Sequence, residues 1–414
     1  MTKHKLLVIG AGIGQIPIVK LAKQRDIHVT VVTMPGNCPA SQFADEVFYH
    51  DIYDRDSIVD YAKANGITAV TSDQNDLMMP TVAYVAEKCG LPGNAFDQVW
   101  AYCCKNVYRD NCVKIGNPVP RYTAVSQAVY PEALRDQPFP WIVKPEDSQS
   151  SVGVTKIDNE SQLIPAIDFA LSKSKTHRAI VEEFFKGHEV VCEGFIYHGK
   201  YYLLSFADRK YFKLDNLMIP SQTLFPSVIA QELRDRIVSY EAKMAEYINL
   251  QFAIVHSEYL VNLENHEIRV VESAPRGGGV FISSHLIPMA TGINVNELLI
   301  DCALGIEQDV EKQLLKNVHH AAAYVCFYLP EGVITSIDGA EAIQKLPFVK
   351  MACLDTIQKG VKTEPMLHKG MRKGPILISG KDREEIERNI NIVQGMLKII
   401  VKNGEMQTSM IHWN

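Results

Sequence analysis

Two glutamates on neighbouring strand-like segments are the residues of this chain best placed to do chemistry. His256-Ser257-Glu258-Tyr259-Leu260 and Arg269-Val270-Val271-Glu272-Ser273-Ala274-Pro275-Arg276 flank the polar stretch Glu264-Asn265-His266. A hairpin whose turn centres on Asn265 sets Glu258 directly opposite Glu272. Opposed residues on antiparallel strands hold their Cβ atoms about 4.5–5.5 Å apart, where like charges repel. A divalent cation between the two removes that repulsion, and Mg²⁺ commonly takes one or two carboxylates together with substrate phosphates. The same register puts His256, Leu260, Val270 and Ala274 on the carboxylate face and leaves Val255, Val261 and Val271 for the core. A solvated face carrying two unrelated acids is the alternative.

Three further stretches carry polar chemistry. Trp141-Ile142-Val143-Lys144-Pro145 ends a strand near a lysine, and Ser148-Gln149-Ser150-Ser151-Val152-Gly153 follows it. Small residues offer backbone N–H groups and hydroxyls to phosphate oxygens beside the lysine's charge; a flexible hairpin with a solvated lysine fits equally well. Ala179-Ile180-Val181-Glu182-Glu183-Phe184-Phe185-Lys186-Gly187-His188-Glu189 supplies carboxylates for an exocyclic amine or sugar hydroxyls, with apolar residues to cover a flat base. Taken alone, an exposed acidic linker suits it better. Asp208-Arg209-Lys210-Tyr211, running on to Pro220-Ser221, is either a long surface loop or a segment that folds over a nucleotide through Lys210.

Gly10-Ala11-Gly12-Ile13-Gly14-Gln15 forms a strand-to-helix turn of the kind that cradles phosphate. Gln15 stands where a dinucleotide fingerprint needs its third glycine, and Val31-Val32-Thr33-Met34 carries no acid for a ribose. The turn therefore reads as close helix-to-strand packing in preference to a nicotinamide site.

The elements that must position these residues follow from periodicity. From Lys5 to Gly93, strands at 6–9, 28–32, 46–49 and 69–71 alternate with helices at 57–64, capped by Asp56, and 77–89, closed by Gly90. Such alternation predicts an α/β, doubly wound parallel sheet. A helix over 97–114 and the breaker Gly116-Asn117-Pro118-Val119-Pro120 lead into an α+β region of largely antiparallel strands. These lie at 141–144, 152–157, 179–183, 189–197, 201–207, 253–261 and 268–273, with helices at 162–173 and 230–248. The tail from about Lys316 reads as a small α+β module.

Taken in chain order, Lys105, Lys144, the loop 148–153, Glu182-Glu183-Phe184-Phe185, Glu189, Glu258, Glu272 and Arg276 resemble the ATP-grasp superfamily. The nearest likeness is to its carboxylate-amine ligases, the group of amino-acid ligases and the phosphoribosylaminoimidazole carboxylase ATPase subunit. The resemblance implies a Rossmann-like pre-ATP-grasp domain over 1–102, an ATP-grasp domain of two α+β subdomains over 103–308, and a C-terminal α+β module over 309–414. It also implies ATP and Mg²⁺, or Mn²⁺ in its place. Lys105 and Lys144 would contact phosphates under a loop of Ser150, Ser151 and Gly153. Glu182 would take the adenine amine, the backbone at Glu183 and Phe185 the adenine edge, and Glu189 the ribose. Glu258 and Glu272 would bind metal, and Arg276 with Lys144 would act on the transferring phosphate. His256, Arg276, Gly278, Gly279, Ser283 and His285 would line the substrate side. One departure stands out: the family's Glu-x-Asn is Glu272-Ser273-Ala274 here, so a second metal ion lacks one ligand.

The expected reaction joins a carboxylate to an amine through an acyl phosphate, releasing ADP and phosphate. Related readings are a carboxylating enzyme that makes carboxyphosphate from bicarbonate, a non-catalytic nucleotide-binding module, and an NAD-dependent oxidoreductase. Composition bounds the partners. The 414 residues carry a net charge of −6 with no block of like charge, which argues against a nucleic-acid or acidic-membrane partner held mainly by electrostatics. The longest apolar run, 321–329, is too short to cross a bilayer. The nine cysteines form no Cys-x-x-Cys pair, as expected for reduced thiols in a cytoplasmic protein. Small-molecule carboxylate and amine substrates are the expected partners, with a homodimer left open.

Overall fold

In the computed structural model, residues 4–149, 152–214, 218–306, 309–316, 318–404, 406–408 and 411–413 are described. The first four strands, β1 (Lys5–Ile9), β2 (His28–Thr33), β3 (Glu46–Tyr49) and β4 (Ala69–Thr71), run parallel in the order β3-β2-β1-β4. Both faces of β1 are covered, which is why it reads as an unbroken apolar run. Leu6 and Val8 pack with Ile18 and Val19 of the helix Ile16–Gln24. Leu7 and Ile9 pack with Ile58 and Val59 of the helix Arg55–Ala64. That second helix starts two residues earlier than expected, because Asp54 and not Asp56 accepts the N–H of Ser57, at 3.3 Å. Gly90 ends the next helix in the left-handed conformation at φ 65°.

The single helix expected over 97–114 is two helices, Phe96–Cys103 and Lys105–Lys114, split by extended backbone at Cys104. The break sets Lys105 in the first turn of the second helix. Next comes a four-stranded antiparallel sheet, β5 (Tyr122–Val125), β6 (Trp141–Pro145), β7 (Thr155–Ile157) and β8 (Ala179–Glu183), in the order β5-β8-β6-β7. Trp141, Val143 and Val181 pack on one side against Leu163, Ala166 and Ile167 of the helix Leu163–Lys173. Strand alternation then turns Ile142, Lys144 and Glu182 to the other face.

The long strands β9 (His188–Tyr197), β10 (Lys200–Tyr211), β11 (Pro220–Phe225), β12 (Phe252–Val261), β13 (Ile268–Ala274) and β14 (Ala321–Phe327) build a second, larger sheet. The tail adds β15 (Gly332–Asp338), β16 (Val349–Ala352), β17 (Lys362–Thr363), β18 (Lys373–Gly380), β19 (Lys398–Asn403) and β20 (Met406–Thr408). The large sheet runs β13-β12-β9-β10-β11-β14-β18-β16, and β17-β15-β19-β20 form a separate four-stranded sheet. The tail is therefore less separate than a small appended module: three of its strands extend the sheet of the middle segment. All seven residues of β14 are buried, and a strand covered on both faces is accommodated between two neighbours, here β11 and β18. No helix among the described residues is long and apolar enough to cross a membrane.

Candidate active site

The small sheet and the large sheet enclose a cleft of about 420 Å³. Glu258 on β12 pairs with Glu272 on β13, and both line it. The route to this pairing differs from the simple hairpin. Near the turn the strands run one residue out of the expected register, with Leu260 opposite Arg269 and Tyr259 opposite Val270. A bulge then restores it, leaving Val271 unpaired between Val270 and Glu272. Since a slip of one residue exchanges faces, the expected roles of the two valines are reversed. Val270 is buried in the core beside Tyr259, and Val271 lines the cleft.

The two metal-type acids have unequal partners. Glu258 accepts from Arg209 of β10 and lies 3.2 Å from His256 Nε2. Burial opposes its ionisation, but Arg209 and His256 hold its carboxyl well below the usual range. Arg209 also donates to Glu189 at 2.7 Å, and the Tyr211 hydroxyl donates to the same carboxylate. Burial and the repulsion of Glu258 outweigh that help, so Glu189 is raised. Among the described residues the ion pair of Glu272 is a loose one, to Lys105 Nζ at 3.9 Å, while Lys105 donates to the Ser148 carbonyl at 2.6 Å. Lys369, from the turn Lys369–Met371, lines the same cleft; burial lowers it against the pull of Glu258 and Glu272.

At the opposite end, Glu182 is closed in by two cations. Lys144 Nζ lies 2.5 Å from one of its oxygens and Arg109 Nε 2.7 Å from the other. Burial disfavours the glutamate's charge, yet Arg109 and Lys144 together lower it; burial likewise lowers Lys144, against the pull of Glu182. The expected phosphate lysine thus rests on the acid expected to meet adenine. Glu183, Phe184, Phe185, Val152 and Leu260 supply the remaining wall, with the Arg269 guanidinium 4.9 Å from the Phe185 ring centre. Gly153 adopts φ +77°, and a Cβ there would lie 2.7 Å from Pro145 Cγ, so the loop can fold against the strand end only with glycine. Ser150 and Ser151 lie outside the described residues.

Lys210 does not join the site. Residues 208–211, expected either as surface loop or as a segment over the nucleotide, are the end of β10, and because Arg209 and Tyr211 both reach Glu189, alternation turns Lys210 to the exposed face.

A second cavity of about 410 Å³ shares Arg209, Glu258, Glu272 and Lys369 with the cleft and adds His256, Arg276 and Gly279. His256 is held by Glu193, which outweighs burial and raises the imidazole. Arg276 is tied to Asp76 and donates to the Gly277 carbonyl at 3.0 Å. A Cβ on Gly278 would lie 2.6 Å from Glu193 Oε1 and 2.9 Å from His256 Nδ1, so its absence is what lets the backbone pass. Gly278 and two further expected substrate residues do not line this cavity. Ser283 is fully buried and donates to Asp73 Oδ2 at 2.6 Å. His285 packs edge-on against Phe281 and lies 2.9 Å from Ser284 Oγ, because the chain enters a π-helical turn at Ile282–Leu286. Val280 and Phe281 just before it are both left-handed, at φ 60°, a costly conformation for a β-branched residue, and the Phe281 N–H is fixed by Gln74 Oε1 at 3.1 Å.

The glycine turn forms another wall of this cavity through Gly12, Ile13 and Gly14. Gln15 fills the turn from within: its Oε1 accepts the Gly12 N–H at 2.9 Å and its Nε2 donates to the Asp73 carbonyl at 2.6 Å. The side chain at the third-glycine position thus takes up an N–H that a bound phosphate would need.

Arg109, Arg209 and Lys369 escaped the sequence reading. Arg109 had a usable signal, since it lies four residues after Lys105 on one helix and so shares its face.

Residues 137–284 match the model of the ATP-grasp domain family. Over that stretch the chain is similar to an ATP-grasp domain. It is 26% identical over 210 residues to a D-alanine–D-alanine ligase of Azobacteroides pseudotrichonymphae, covering 48% of this chain and 63% of that one. It spans only about half of two further D-alanine–D-alanine ligases, from Prochlorococcus marinus strains. The structure of an L-amino acid ligase from Bacillus licheniformis superposes over 97% of this chain and 99% of its own, at 22% identity and a TM-score of 0.81. At that identity the likeness shows the fold.

Proposed function

We propose that the chain is an ATP-dependent ligase that joins a carboxylate to an amine, and that the cleft between the two sheets is its nucleotide site. The observation that carries this reading is the opposed pair Glu258 and Glu272, facing Lys105, Arg209 and Lys369 in one cleft. Among the described residues no cluster of three or more metal-type side chains occurs. A pair of carboxylates is still sufficient for Mg²⁺, which completes its shell with phosphates and water. Bound there, the ion would neutralise charge on the transferring phosphates. Ala274 leaves a second ion one ligand short, and Lys369 supplies positive charge nearby.

In this reading an oxygen of the substrate carboxylate attacks the γ-phosphorus of ATP and the bond to the ADP oxygen breaks. The amine nitrogen then attacks the acyl carbon, inorganic phosphate leaves, and the nitrogen gives up its proton. Such transfer depends on positioning and charge neutralisation, with no covalent help from the protein. Lys105 and the backbone around Ser148 and Gly153 steady phosphates, and Arg209 and Arg276 balance the charge that develops. Glu182, with the backbone at Glu183 and Phe185, orients adenine, and Glu189 the ribose. The second cavity, between the glycine turn and Gly279, takes the substrates.

The test is ADP release from ATP and Mg²⁺ across a panel of amino acids and amines. ADP that appears only when both a carboxylate and an amine are present supports the reading. Tight ATP binding with no ADP across the panel supports a nucleotide-binding module instead. Full activity in both Glu272→Ala and Lys144→Ala shows that the site is misassigned.

A further inference from the structure

A third cavity, of about 370 Å³, lies behind the nucleotide cleft and shares Lys105, Arg109, Ser148, Val271 and Glu272 with it. That volume is toward the low end of the roughly 300–1,000 Å³ typical of small-molecule sites. None of the roles proposed above uses the side of this cavity that faces away from the cleft.

That side combines three kinds of group. Its wall is apolar and aromatic, built by Tyr53, Leu77, Pro80, Phe96 and Trp100. It carries two cations. The Arg55 guanidinium lies 4.9 Å from the Phe96 ring centre and the Lys175 ammonium 4.0 Å from that of Tyr53, and neither forms an ion pair among the described residues. It also holds a carboxylate with one oxygen unmatched. Asp147 Oδ2 accepts the N–H groups of Lys175 and Thr176 at 3.0 and 3.1 Å, but its Oδ1 is buried with no hydrogen bond. Leaving such a group unmatched costs about 1–3 kcal/mol, a cost that a cationic ligand group beside Asp147 would remove.

We propose that this cavity binds a free α-amino acid with a bulky apolar side chain. Arg55 and Lys175 take its carboxylate, Asp147 Oδ1 takes its ammonium, and the aromatic wall takes its side chain. An apolar ligand without charges would leave Asp147 and Arg55 unmatched. A nucleotide would bring phosphates toward Asp147 and Glu272. The inference does not rest on the ligase reading, since binding here requires neither ATP nor metal.

The experiment is isothermal titration of the full chain, without nucleotide or metal, with the D and L forms of phenylalanine and leucine. Saturable 1:1 binding of at least one of them is expected, with Trp100 fluorescence changing in parallel. On the unmodified protein, N-acetylation and amidation of that amino acid should each weaken binding at least tenfold. Arg55→Gln and Asp147→Asn should do the same with an unchanged melting temperature. ATP affinity, measured separately, reports on the nucleotide cleft. No binding of any of the four amino acids, or binding that survives both blocking groups or both substitutions, overturns the proposal.

Discussion

The two ends of the cleft between the small and large sheets handle buried negative charge in opposite ways. At the small-sheet end, Glu182 is 3% exposed and each of its oxygens has its own cation, Arg109 and Lys144. At the large-sheet end, Glu258 and Glu189 share the Arg209 guanidinium, with His256 3.2 Å from Glu258, and among the described residues the ion pair of Glu272 is a loose one to Lys105 at 3.9 Å. The first is a closed arrangement, in which removing a partner strands a buried charge. The second is open, an arrangement that an incoming cation and phosphates can complete. The difference separates a region that holds the cleft together from one that is available for chemistry.

Removing a closed partner should have the largest effect. Arg109→Met strands the pair and takes a donor from the Val271 carbonyl, so urea unfolding should show a loss of about 3–5 kcal/mol. A loss below about 1 kcal/mol would mean the small-sheet end is not closed as described. At the open end the order reverses. Glu272→Gln should lower the rate of ADP formation by roughly 10²–10³-fold while stability changes by less than about 1 kcal/mol. Arg209→Met should weaken ATP binding at least tenfold, and Lys210→Ala by less than twofold, both read by titration calorimetry. Comparable effects of the two would put Lys210 back in the site.

Acid distinguishes the ends more gently. Glu182 ionises below its ordinary value near 4.5 in the folded chain, because Arg109 and Lys144 outweigh burial. Its stabilisation is therefore complete above about pH 4.5 and is lost as the pH falls through the lower folded value. Urea midpoints measured from pH 6 down to pH 3 should fall in wild type, and Glu182→Gln should remove part of that fall.

What the sequence disclosed follows the same division. The opposed glutamates were legible because both lie on strands flanking one short polar turn, where register is a local matter. The bulge at Val271 was not legible, since nothing in Arg269-Val270-Val271 marks which valine is the extra one. The first sheet could be read from alternating strands and helices, whereas the place of Ala321–Phe327 between β11 and β18 depends on strands distant in the chain. Arg209 was hidden by reading a twelve-residue strand's end as loop, which erased the alternation that separates it from Lys210. Lys369 reaches the cleft from almost a hundred residues beyond Glu272, and no spacing rule connects them.

The most direct test of the central claim is Mn²⁺ binding in the presence of ADP, followed by electron paramagnetic resonance. Wild type should bind Mn²⁺ with ADP, and Glu258→Gln and Glu272→Gln should each weaken that binding at least tenfold while the chain stays folded. Mn²⁺ binding as tight in both variants as in wild type would contradict the assignment of the opposed glutamates as the metal site.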